Sequence, residues 1–179
     1  VLAIIIRAVL FQAFKIPSSS MEPTLLVGDH ILVNKFIYGL RIPFTDKRWP
    51  ELTVPHRGDV IVFIYPEDRS KDFIKRVVGT PGDTVEIINK QLFIDGQEVR
   101  DSHAAFRDRN TFPGDYTPRD NLKPIKVPPG HLFVMGDNRD YSHDSRFWGF
   151  VPIVDVKGKA FIIYYSPQNF PSRLFKLIS

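Results

Sequence analysis

"DFIKRVVG" (Asp72–Gly79), followed at once by Thr80-Pro81-Gly82-Asp83, is the stretch that decides how this chain folds. Its β-branched and aromatic residues surround two adjacent cations, the composition of a strand, and Pro then Gly suit the two central positions of a type II turn. Successive side chains of a strand point to opposite faces. Lys75 therefore shares a face with Phe73 and Val77, and Arg76 shares the other with Ile74 and Val78. Unless the strand lies at an edge, one of the two cations looks toward an apolar layer. Lysine tolerates that better than arginine, because it can give up its proton.

Similar text lies on either side. "DVIVFIY" (Asp59–Tyr65), preceded by a turn at Arg57-Gly58, and "HILVNKF" (His30–Phe36) read as buried strands. After the turn, "TVEII" and "QLFI" are joined through Asn89-Lys90, and "QEV" follows Asp95-Gly96, a two-residue hairpin signal. Residues from about Arg100 to Pro128 are polar, contain prolines and lack periodicity, which predicts a loop-rich cap inserted into the main sheet. "GHLFVMGDN" and "GKAFIIYYS" (Gly158–Ser166) return to strand character. Helical periodicity is scarce after residue 14, so the fold class is mainly β. The expected division is 15–83 as the first part of a core, 84–128 as hairpin and cap, and 129–179 as the second part of the core with a tail.

With 179 residues, 43% of them hydrophobic and 25% charged, the chain has the makings of one sizeable core. It contains no cysteine, which excludes disulfides, zinc-thiolate sites and thiol nucleophiles. The net charge of +4 suits work near an anionic surface such as a membrane or nucleic acid, and equally suits ordinary solubility. "VLAIIIRAVLFQAF" (Val1–Phe14) is apolar but interrupted by Arg7, and is shorter than the ~20 residues that span a bilayer. It reads as the downstream end of a membrane anchor whose upstream part precedes Val1, with Arg7 and Lys15 near the headgroups. A short core or amphipathic helix is the other reading.

Three serines stand between two prolines in "PSSSMEP" (Pro17–Pro23). Proline biases the preceding residues, Ile16 and Glu22, toward extended backbone. If that geometry persists, Ser18 and Ser20 face one way and Ser19 the other. A serine hydroxyl needs a base to become a nucleophile, and acyl transfer needs donors for the oxyanion; two serines on one side can divide these duties. No G-x-S-x-G elbow is present, and the five histidines show no pattern of acid partners. Lysine is the remaining base. At its ordinary pKa of about 10.4 it is almost never neutral at pH 7, and lowering that by two to three units costs roughly 3 to 4 kcal/mol of burial energy.

"MGDNRDYSHDSRFWGF" (Met135–Phe150) is dense in hydrogen-bonding side chains. Counted as a calcium loop from Asp137, it places Arg139, Tyr141 and Ser142 where ligands and a glycine belong, so no metal is expected. It reads instead as a polar shell, held by an Asp144–Arg146 pair, with Ser142 as a hydrogen-bonding partner for a site.

Four boxes in order, "IPSSSMEPTLLVGDHILVNKF", "RGDVIVF", "DFIKRVVGTPGD" and "GDNRDYSHDSRFWGFVP", closely resemble those of the bacterial type I signal peptidase (leader peptidase) family, membrane-bound Ser/Lys serine proteases. The resemblance covers nearly the whole chain except the cap. It implies a signal-peptidase-like β-sheet or barrel core, and cleavage of signal peptides from exported preproteins after A-x-A-like sites through an acyl-enzyme. By this match Ser20 is the nucleophile, Lys75 the general base, and Ser18 the hydroxyl that completes the oxyanion hole with the Ser20 N–H. Ser142 is the residue that hydrogen-bonds and orients the lysine, and Asp144 and Arg146 are a supporting pair. Wall residues of shallow substrate pockets match Phe14, Ile16, Met21, Leu25, Ile31, Val62 and Ile74, for which plain core packing is the other reading. Where the family commonly has glycine, this chain has Ser19. The resemblance further implies no cofactor, no nucleic-acid partner, and a location at the bacterial plasma membrane with the catalytic part on the outer, extracytoplasmic face. Lipid contact is expected from "FIYGLRIPF" (Phe36–Phe44) and the tail "NFPSRLFKLIS". Two other readings stand beside it: a self-cleaving repressor-type Ser/Lys peptidase, for which no helix-turn-helix is seen, and a membrane-tethered binding module.

Overall fold

In the computed structural model, the residues described are 10–41, 48–49 and 53–179. Strand β5 (Val60–Ile64) shows why the chain folds as it does: its first four residues are all buried, so it is covered on both faces. Val60 and Val62 enter one apolar cluster with Ile16, Met21, Leu25 and Ile31. Ile61 and Phe63 enter a second with Tyr38, Val77, Leu132 and Val134. An uninterrupted apolar run of this kind specifies a central strand, whereas β2 (His30–Asn34) alternates between buried and half-buried positions.

The main sheet runs β1 (Phe11–Lys15), β2, β13 (Val156–Tyr165), β5, β6 (Asp72–Gly79), β11 (His131–Met135), β12 (Val151–Pro152), with β14 (Lys176–Leu177) paired to β13. Every pairing is antiparallel. A second sheet has the order β10 (Leu122–Lys126), β7 (Thr84–Ile88), β8 (Gln91–Ile94), β9 (Gln97–Val99) and packs through a third cluster centred on Val85, Val127 and Phe133. A short pair, β3 (Leu40–Arg41) with β4 (Arg48–Trp49), stands apart. The fold is mainly β, as expected.

The turn chemistry read from sequence is present. Gly82 has φ +96° and the Asp83 N–H returns to the Thr80 carbonyl at 3.0 Å, a type II arrangement. Asp83 fastens it by accepting from the Thr80 N–H and hydroxyl and from a two-pronged Arg57 contact. Asn89-Lys90 and Asp95-Gly96 both have positive φ at their two central residues, as tight hairpins require.

Two expectations need correction. The anchor assigned to residues 1–14 cannot extend to Phe14, because Phe11–Phe14 pair with Ile31–Asn34 as part of β1; residues 1–9 lie outside the described ones. The cap is not strand-free after Arg100: Leu122–Lys126 pair with β7, with a register shift between Leu122 and Ile125 around Pro124. A proline inside the run is what hid this edge strand. Among the described residues no helix is long and apolar enough to cross a membrane.

Candidate active site

The serine triplet does not stay extended. Ser18 is extended (φ −136°, ψ 161°), but Ser19–Met21 form a 3-10 turn, closed by the Glu22 N–H on the Ser19 carbonyl at 3.1 Å. Met21 and Leu25, both fully buried, root this turn in the first apolar cluster. The turn overrides simple alternation, yet it still brings Ser18 Oγ within 3.4 Å of Ser20 Oγ. Ser20 is buried, Ser18 exposed and Ser19 half-buried.

Lys75 lies opposite Ile61 in the β5–β6 pair and is only 4% exposed. Its Nζ is hydrogen-bonded to Ser20 Oγ at 2.8 Å and donates to the Ile74 carbonyl at 3.0 Å, 5.4 Å from the centre of the Phe73 ring. Burial pushes its pKa down to about 8; Asp144 and Asp137 pull the other way and Arg146 adds to the lowering. With a pKa near 8, about one lysine in ten is neutral at pH 7, against about one in three thousand at the ordinary value. The amine is thus far easier to deprotonate than an ordinary lysine, and it is held against the Ser20 hydroxyl.

The neighbouring cation is buried as well. Arg76 is 2% exposed and forms a fork on Asp137, at 2.8 and 2.7 Å, while Nη1 donates to the Gly58 and Ser179 carbonyls. Asp137, fully buried, makes this possible; its partner sits 61 residues away, which no local reading of the sequence could supply.

Asp144 and Arg146 form the expected pair, 2.8 Å apart and buried. Asp144 also caps α1 (Ser145–Trp148), accepting from the Arg146 N–H, and takes the Gly136 N–H at 2.9 Å. Burial opposes its ionisation, but the Arg146 guanidinium and the Gly136 N–H hold its pKa below the usual carboxylate range. Arg146 in turn donates to the Arg139 and Arg119 carbonyls, so the pair organises backbone around it.

Among the described residues no hydrogen bond joins Ser142 to the Lys75 amine. The Ser142 Oγ is buried and makes no hydrogen bond of good geometry among the described residues, but it lies near enough to Asp144 to help hold that carboxylate ionised, while the Lys75 amine is engaged by Ser20 and the Ile74 carbonyl. The hydroxyl is packed over Gly136: a Cβ on that residue would collide with both Ser142 Oγ and the Ser20 carbonyl oxygen. Gly136 is therefore required for the serine turn and the polar shell to approach one another.

An open cleft of about 340 Å³ lies over the Ser20–Lys75 contact. Of the seven residues expected as pocket walls, Ile74 lines it. Ile16, Met21, Leu25, Ile31 and Val62 are buried core beneath it, with Phe14 packed partly buried against them. Core packing is what the structure assigns them, because each continues the apolar cluster that supports the serine turn. Residues not singled out from sequence supply much of the wall: Asp72, Phe73, Tyr141 and His143. Phe73 and Asp72 were legible as neighbours of Lys75 on its strand; Tyr141 and His143 flank Ser142 and carried no signal of their own. Among the described residues no group of three or more His, Asp or Glu side chains converges as a metal site would.

Known proteins carry the same arrangement of sequence. A family model described as "Signal peptidase, peptidase S26" matches residues 1–165. The chain is 42% identical over 195 residues to a signal peptidase I of Pseudomonas fluorescens, covering 92% of this chain and 68% of that one. It is 38% identical to signal peptidase I of Pseudomonas aeruginosa, with the same coverage. To signal peptidase I of Aquifex aeolicus it is 38% identical, over 92% of this chain and 82% of that one. The chain belongs to the signal peptidase family, peptidase S26.

Proposed function

We propose that this signal peptidase, a serine endopeptidase acting on preproteins that bear signal peptides, works through a Ser20/Lys75 dyad. The observation that carries the reading is the 2.8 Å contact between a 4%-exposed amine and a buried serine hydroxyl at the floor of a cleft. Neutral Lys75 takes the Ser20 proton as Oγ attacks the scissile carbonyl. The lysine ammonium then protonates the leaving amine, and water, activated by the same base, releases the acyl-enzyme. Ser18 Oγ and the Ser20 N–H serve the developing oxyanion. Asp144, Arg146 and Ser142 form the shell behind the base; the Ser142 hydroxyl, next to Asp144, reaches the amine by turning toward it when the site is occupied. Ile74 and the cleft walls meet the small side chains of an A-x-A-like site.

The family is membrane-associated. We place the catalytic core at the outer face of the bacterial plasma membrane, with the tail against lipid: Phe170, Phe175 and Leu177 are 62, 65 and 71% exposed, beside Lys176, while Arg173 turns inward onto Asp29 and the Thr24 carbonyl. The "FIYGLRIPF" segment extends beyond Arg41 outside the described residues; within it, Tyr38 is buried and donates to Asp59, which makes it core.

The test is incubation with a precursor carrying an A-x-A site, followed by mass measurement of the product ends. Intact protein should cut after the second alanine, and the Ser20→Ala and Lys75→Ala variants should leave the precursor whole while remaining folded. Continued cutting by Ser20→Ala would remove the assignment.

A further inference from the structure

The segment 101–108 of the cap reaches across to the site and is joined to it at Asp101, Ala105, Arg107 and Asp108. Asp101 pairs with Arg139, and the Ala105 N–H donates to the Asp137 carbonyl at 2.7 Å while the Arg139 N–H returns to the Ala105 carbonyl at 3.0 Å. This is a parallel bridge of Ala105 with Asn138. The Arg107 and Asp108 N–H groups both donate to Asp140, at 2.6 and 2.8 Å, and Lys90 from the second sheet donates to the same carboxylate at 2.8 Å. Arg107 also pairs with Glu22, at the end of the serine turn, at 2.9 Å.

What this arm holds is Asn138, 1% exposed. Its backbone N–H donates to the Ser20 carbonyl at 3.1 Å and its side-chain Nδ2 to the Ser19 carbonyl at 3.1 Å. One residue thus grips two consecutive carbonyls of the turn that carries the reactive hydroxyl. Gripping the carbonyls fixes the peptide planes, and with them the direction of the N–H groups that alternate with them. Asn138 Oδ1 is buried without a partner among the described residues, so the side chain's hydrogen bond is the one its Nδ2 gives to the turn.

We propose that the cap is a brace for catalysis: through the 101–108 arm it locks Asn138, a positioning residue, which sets the Ser19–Ser20 backbone so that the oxyanion site exists before substrate arrives. This rests on the reading of Ser20 as nucleophile. A brace differs from a substrate lid in what it controls. Losing it leaves binding in place and slows the chemical step, because misplacing a reacting group by about 1 Å costs on the order of a hundredfold in rate.

Steady-state cleavage of an A-x-A precursor peptide by the full chain, with near-UV circular dichroism as the check on folding, tests it. Asn138→Ala should lower kcat about 10- to 100-fold with KM little changed and the midpoint of the pH–rate profile unmoved. Asp140→Ala should act in the same direction, and Asp140→Asn, which keeps an oxygen for the two N–H groups, should recover most of the loss. The Asn138/Asp140 double variant should be within about a factor of two of Asn138→Ala alone, because the two act in series on one contact. Ala105→Pro deletes the bridging N–H while leaving every charged group, and reports kcat should Asp140→Ala fail to fold; about tenfold is expected. Lys123→Ala, on the far side of the cap, should change nothing. Unchanged kcat in folded Ala105→Pro, a loss confined to KM, multiplying losses in the double variant, or an equal loss at Lys123 would overturn the brace. Ser20→Ala run in parallel separates the two ideas: cutting by that variant sinks the nucleophile reading, whereas a dead Ser20→Ala beside unaffected cap variants sinks the brace alone.

Discussion

Lys75 and Arg76 are neighbours on one strand, both nearly inaccessible to water, and they solve the problem of a buried charge in opposite ways. On the rear side of β6, Arg76 meets a carboxylate two-pronged at 2.7–2.8 Å. On the cleft side Lys75 has a hydroxyl and a carbonyl within hydrogen-bond reach and no carboxylate, so its proton is loosely held. Asp137 and Asp144 pull on it only from a distance. Burial alone does not make a base. Burial with the counter-ion assigned to the adjacent residue is what the role proposed for Lys75 asks for, and the alternation of a strand is what keeps the two environments apart.

The comparison breaks most severely if the lysine is made permanently charged. Lys75→Arg keeps the cation but cannot release its proton, so precursor cleavage should fall by roughly 10⁴-fold or more, as for loss of a catalytic base. Measurable activity at a hundredth of the wild-type level in that variant would mean the base lies elsewhere. Next in size is the rear side. Asp137→Ala leaves Arg76 buried and unpaired, and should cost about 3 to 5 kcal/mol of folding stability in a denaturant titration, whereas replacing both partners with apolar residues of similar volume should cost far less.

The lysine side has its own stability signature. Its folded pKa of about 8 lies below the ordinary 10.5, so the folded state binds fewer protons between those values. Stability relative to Lys75→Met should therefore rise with pH from about 8 to 10.5. The full penalty of about 3 kcal/mol is present below pH 8 and relieved above that window. A difference between the two proteins that stays flat across the window would contradict a depressed lysine. Smallest of all should be Ser19→Ala: the half-buried hydroxyl lies between Ser18 and Ser20 in sequence, yet the contacts that hold the turn run through the Ser19 backbone carbonyl, so kcat/KM should stay within about a factor of two.

How far the sequence foretold this depends on whether the interaction was local. Strand alternation, the apolar run of β5 and the turns at Gly82, Asn89-Lys90 and Asp95-Gly96 follow from nearest neighbours, and they are where the reading placed them. The nearness of Ser20 and Lys75 spans 55 residues and came only from the order of the boxes. What stayed hidden was set by tertiary packing. Met21 and Leu25, plunging into the core, curl the serines into a 3-10 turn that proline-biased extension did not foresee. Ile16, Ile31 and Val62 match pocket positions in sequence but are spent on the cluster beneath. Asn138 is polar text in a polar segment until the cap, across a parallel bridge, shows what it holds.

The central claim concerns one proton, and it can be watched directly. A ¹³Cε NMR titration of lysine-labelled protein, with the Lys75 signal identified by its absence in Lys75→Ala, should show that amine titrating with a midpoint near pH 8. A Lys75 signal that moves only near pH 10.5, the ordinary lysine value, would contradict the account.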